Sequence, residues 1–169
     1  MKVTKWMTRV LQTPADNPLV VGIDQPGTRE FVTLELDTDE GLQGIGVTFF
    51  GGPLTPALRT AVDNLCELIV GEDPLQVEAV TDKLRLAAGS SGPEGIFTLA
   101  ISAIDIALWD IKGKALNQSV CSLLGGYRDR AITYASGALM RPMNLEYLAE
   151  AGPRLVEMGF KQMKTQMGA

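Results

Sequence analysis

Histidine is absent from this chain of 169 residues. Its absence excludes a histidine triad, a histidine metal site and an imidazole acid/base pair within this polypeptide. Cysteine is scarce: Cys66 and Cys121 stand far apart, each in an apolar helical context. Two buried, reduced thiols are expected rather than a bridge, and they suit a cytoplasmic protein. No apolar run approaches the roughly 18 residues that cross a bilayer. The stretch MKVTKWMTRVL alternates like a strand and lacks the apolar core of a signal peptide, so neither membrane nor leader is expected. Basic residues are few and scattered, 15 against 20 acidic, for a net charge of −5. That removes nucleic acid as a partner, since phosphate recognition favours a concentrated Lys/Arg face.

What is present suffices for a core. Hydrophobic residues make up 46% and charged residues 21%, which suits one soluble domain or slightly more. Lys2 to Leu11 reads as a strand, with Val3, Lys5, Met7 and Arg9 on one face and Thr4, Trp6, Thr8 and Val10 on the other. Gln12 to Gly27 has the composition of a loop. Arg29 to Asp37 alternates as a second strand, and Gly41 suits the turn of a hairpin into a third, Leu42 to Phe49. Gly44 and Gly46 leave room on one face of that strand. Helical spacing follows, with Leu54, Leu58, Ala61, Leu65 and Leu68 on one face until Gly71. A second helix starts at Glu72-Asp73-Pro74 and buries Val77, Val80, Leu84 and Ala87.

The stretch AISAIDIALWDIKGKALNQSVCSLLG, from Ala100 to Gly125, carries the most information. Ile101, Ile104, Ala107, Leu108 and Ile111 form a stripe too wide for a helix lying freely on a surface. Ala100, Ala103 and Ala107 allow another element to approach closely. Gly113-Lys114 breaks the helix, and a short turn from Val120 to Leu124 stops at Gly125-Gly126. Asp105 and Asp110 are five apart, about 140° around a helix, and do not converge. Helix-to-loop hydrogen bonds or surface pairs account for them, and Trp109 reads as a packing residue.

After Tyr127-Arg128-Asp129-Arg130 the pattern changes. Ala131 to Leu139 is a short strand, Asn144 caps a helix through Met158, and Phe160 to Met167 is another strand. This spacing is a βαβ unit with parallel pairing. Two strands and one helix cannot cover both faces of a parallel sheet, so a larger architecture is expected.

The pattern A-x-S-A-I-D-x-A-L-W-D-x-x-G-K, followed by a small residue, an aliphatic one and L-L-G, resembles the signature of the mandelate racemase and muconate-lactonizing family of the enolase superfamily. The resemblance covers the whole chain. It implies an α+β capping domain at residues 1–128, a three-stranded antiparallel meander followed by a helical bundle. Residues 129–169 would then be the first strand, helix and second strand of an incomplete (β/α) TIM-type barrel. It further implies abstraction of an α-proton from a small carboxylate such as an acid sugar, by a dehydratase before a racemase. Mg²⁺ serves the parent family, held by three carboxylates beyond Ala169, and none is expected to bind this chain alone. A homo-oligomer is the expected assembly.

The same resemblance locates candidate site residues. Relatives carry K-x-K on the second barrel strand, where GFKQMKTQMG here places Lys164 at the first position and Gln166 at the second. The glutamine amide is not basic, so this face lacks a lysine base. Lys161 falls on the opposite strand face and reads as a solvated lysine. Gln162, Lys164 and Gln166 share a face, a polar run that suits a lumen. Ser136, in Tyr134-Ala135-Ser136-Gly137, falls where some racemase relatives bind the substrate carboxylate, though turn chemistry also explains a serine there. Two loops would close over the mouth, Pro14 to Gly27 and Phe49-Phe50-Gly51-Gly52, with Phe49 in the core and Phe50 the apolar lid contacting substrate. The competing class is a non-catalytic module that associates through its exposed barrel strands.

Overall fold

The computed structural model describes residues 1–14, 28–49, 51–136 and 145–165. The chain divides into two compact units, Met1–Thr13 with Glu30–Gly126, and Pro14–Arg29 with Tyr127–Ala169. Among the described residues, β1 (Val3–Pro14), β2 (Thr28–Thr38) and β3 (Gln43–Thr48) form one antiparallel sheet in the order β1-β2-β3. Alternation in β2 buries Val32, Leu34 and Leu36, and Leu34 lies opposite Gly46 of β3. At the hairpin the Thr38 hydroxyl accepts from the Leu42 N–H at 3.0 Å and donates to its carbonyl at 2.9 Å. Gly41, at φ 80°, takes the left-handed position that a Cβ would oppose.

Helices α1 (Thr55–Glu67) and α2 (Val77–Ala88) pack against α3 (Ile96–Leu116), which packs on β3, and α4 (Val120–Leu123) adds one further turn. The stripe on α3 lies as its spacing requires: Ile104, Ala107, Leu108 and Ile111 are fully buried and Ile101 nearly so. Its small residues meet the small residues of β3. A Cβ built on Gly44 would stand 2.2 Å from the Ala107 carbonyl oxygen, and one on Gly46 would stand 1.9 Å from that of Ala103. Only glycine permits backbone-to-backbone packing this close. On the other side of the core the Asp63 carboxylate of α1 accepts from Trp6 Nε1 at 3.1 Å and from the Thr8 hydroxyl at 2.7 Å, tying β1 to α1.

Several expectations are corrected. The long helix does not break at Gly113-Lys114; it runs to Leu116 and ends on Asn117 in the left-handed region, φ 51°. Gly113 is glycine for proximity instead, because a Cβ there would lie 3.0 Å from the Gln118 carbonyl oxygen as the chain folds back. The second helix starts at Val77, since Asp73 turns the chain by accepting from the Leu75 N–H at 3.0 Å. Val3 does not share the exposure of Lys5, Met7 and Arg9. Its N–H and carbonyl pair with Glu72 and Gly71, which draws it inward. Cys121 is exposed, because one helical turn cannot bury it; Cys66 is buried as expected. Phe49 is not core: it is 40% exposed and rests against the Phe31 ring at 5.4 Å.

In the second unit α5 (Leu145–Glu157) buries Tyr147, Ala151 and Leu155, spaced by four, together with Ala135. The helix stops at Gly159, φ 95°, and the chain returns. The two flanking stretches meet in a parallel bridge between Ala135 and Met163. Longer strands were expected over 131–139 and 160–167; among the described residues the pairing is this single bridge. Asn144 lies outside the described residues. No described helix is long and apolar enough to cross a membrane.

Candidate functional site

The bridge fixes which side chains share a surface. The Ala135 N–H donates to the Gln162 carbonyl at 3.0 Å, and the Lys164 N–H donates to the Ala135 carbonyl at 2.8 Å. Paired residues of parallel strands point the same way, and neighbours along each strand alternate. Ala135 is buried against Tyr147, Ala151 and Leu155 of α5. Tyr134, Ser136, Gln162 and Lys164 therefore turn to the opposite face. One step along the register from the bridge, Ser136 comes level with Lys164. The Lys164 ammonium lies 6.0 Å from the centre of the Tyr134 ring.

This face gathers a cation, a hydroxyl and an aromatic ring, a set suited to holding a carboxylate. Of the sequence-based candidates, Ser136 and Lys164 take facing register positions one step beyond the bridge. Gln166 and Phe50, and the loop residues 15–27, lie outside the described residues. Tyr134 was not singled out from the sequence; its period-2 spacing to Ser136 was the available signal, and the register supplies the rest.

A concavity of about 620 Å³ lies in the first unit between β3, α3 and α4, lined by Ile45, Ile106, Trp109, Val120 and Leu124 among others. Two of its charged residues, Asp110 and Lys114, are engaged with each other. Asp110 accepts from the Ile45 N–H at 2.9 Å and from Lys114 at 2.7 Å, and Lys114 also donates to the Gln43 carbonyl at 2.7 Å. One ion pair on α3 thus satisfies two backbone groups of β3, the Ile45 N–H and the Gln43 carbonyl. Asp105 titrates above the ordinary carboxylate range, chiefly because burial penalises its charge and secondarily because Glu78 is near, with Arg85 opposing. Burial, aided by the Asp63 charge, pushes the Cys66 thiol up to about 12, which makes it inert as a nucleophile. Among the described residues no three carboxylates or thiols are grouped to hold a metal ion.

Residues 5–125 match the mandelate racemase / muconate lactonizing enzyme N-terminal domain. A D-galactarolactone cycloisomerase of Agrobacterium fabrum is 33% identical over 172 residues, covering 99% of this chain and 44% of that protein. A D-galactonate dehydratase family member of Cellvibrio japonicus is 37% identical over 145 residues, covering 85% of this chain and 35% of that protein. The solved structure of an enolase with bound Mg from alpha pretobacterium bal199 superposes with a TM-score of 0.84 at 26% identity, covering 99% of this chain and 47% of that one. The chain spans less than half the length of each of these relatives.

Proposed function

The chain belongs to the mandelate racemase / muconate lactonizing enzyme family, and from that membership we propose that it is the carboxylate-recognising front part of an enzyme acting on acid sugars. In this reading residues 1–128 are the family's capping domain, and residues 129–169 open a barrel whose lumen is the face bearing Ser136 and Lys164. The observation that carries the reading is the Ala135–Met163 bridge, which sets Ser136 level with Lys164 on the face turned from α5. Support for the substrate class comes from the relatives, named for D-galactarolactone and D-galactonate.

The chemistry assigns each residue a task. The Lys164 ammonium and the Ser136 hydroxyl donate to the substrate carboxylate and orient the carbon beside it. A charged hydrogen bond of this kind is shorter and about twice as strong as a neutral one. Removal of the α-proton is a further matter, since an acid this weak needs concentrated positive charge where the enediolate forms. In the parent family Mg²⁺ would supply that charge, but the described residues of this chain do not fit such an ion. No step here passes through it. Gln166 stands at the position where relatives carry a lysine base, and its amide cannot take a proton at neutral pH. Phe50, next to the Phe31–Phe49 pair in sequence, is proposed as the apolar lid. In the whole enzyme dehydration is favoured over racemisation; this chain alone binds without turning over.

The test is ¹H NMR in D₂O with the 169-residue chain, Mg²⁺ and D-galactonate. The α-proton signal should persist. Its loss would show that the chain holds a working base and would overturn the assignment of Gln166.

A further inference from the structure

The geometry points to Tyr134 as the positioning residue for Lys164, holding the ammonium against its ring on the face turned from α5. This rests on the reading of that face as a carboxylate site. Lysine is a poor recognition element when free, because its stem of four carbons lets the charge wander. Backbone hydrogen bonds on both sides of Ala135, at 3.0 and 2.8 Å, fix where that stem leaves the chain, and the ammonium lies 6.0 Å from the centre of the Tyr134 ring. That separation is at the outer reach of a cation–π attraction. The ring takes one side of the ammonium and leaves the others open, so a carboxylate would meet a charge already placed. Tyr134 is 49% exposed and belongs to neither buried cluster, so replacing the ring leaves both cores in place.

The test uses ¹³C reductive methylation of the lysines, which preserves their charge, with the Lys164 signal identified by its loss in Lys164→Arg. A methyl group over a ring face is shifted upfield. Lys112, whose ammonium lies 5.1 Å from the Trp109 ring centre, provides an internal control. The Lys164 signal should be upfield-shifted in the native chain and in Tyr134→Phe, and unshifted in Tyr134→Leu. On unmethylated protein, L-malate should bind about threefold more weakly to Tyr134→Leu and unchanged to Tyr134→Phe. An unshifted Lys164 signal in the native chain overturns the inference, and so does a Tyr134→Leu variant that binds malate as the native chain does. Lys164→Met separates the premise: if it binds malate unimpaired, or if the native chain binds none, the carboxylate reading falls, whereas the ring-shift comparison is decided without ligand.

Discussion

The Ala103 carbonyl oxygen occupies the place where a side chain on Gly46 would begin, 1.9 Å from the position of that first carbon. Strand β3 and helix α3 are therefore in backbone contact, and the conflict falls on a helix carbonyl that cannot swing aside like a side chain. Gly46→Ala should lower stability by about 3 kcal/mol, the upper end for overpacking a core. Chemical denaturation would read it, with Gly41→Ala as a comparison that tests φ strain without a clash.

The Asp110–Lys114 pair takes two backbone groups of β3, the Ile45 N–H and the Gln43 carbonyl. Lys114→Met should cost about 1 kcal/mol, as expected for a partly exposed charged hydrogen bond. It also frees an edge that strands use to associate. Light scattering should show a greater tendency to associate in Asp110→Ala than in the native chain.

The two cysteines should separate cleanly. Cys121 is exposed and Cys66 buried, with the Cys66 thiol raised to about 12. A thiol reagent at pH 8 should titrate one cysteine in the native chain and both in denaturant. Rapid reaction of both in the native chain would mean that the α1 core opens readily.

Asp105 gives a pH signature whose sign follows from its raised value. A carboxyl raised in the folded state binds its proton more tightly there, so stability falls as pH rises from the unfolded value to the folded one and stays lowered above it. Asp105→Asn removes that loss. The variant should be more stable than the native chain at pH 7, with the difference fading below about pH 4, where both forms are neutral. Thermal melts across that range would follow it.

How much of this was legible in the sequence depends on the kind of signal. The α3 stripe was readable because Ile104, Leu108 and Ile111 recur at the helical period and each is buried. The facing pairs Gly44–Ala107 and Gly46–Ala103 were readable in part, as small residues on both sides of an unseen contact. Gly113 was misread because glycine serves both as a helix stop and as a site of close approach; the Gln118 carbonyl that decides between them comes from a returning segment. The burial of Val3 was not readable, because its backbone partners, Gly71 and Glu72, lie far along the chain. Lys164 was singled out by the resemblance of GFKQMKTQMG to the K-x-K of relatives, with the polar period-2 partners Gln162 and Gln166 in support. Tyr134 was not, because its place beside Lys164 exists only once the register between two strands is known.

The most direct measurement is a ¹⁵N–¹H titration of the chain with D-galactonate. Shifts should gather at the amides of Tyr134, Ser136, Gln162 and Lys164, and vanish in Lys164→Met. Shifts at Ile45, Ile106 and Leu124, which would place the ligand in the groove beside α3, would contradict the assignment, as would a spectrum that does not change.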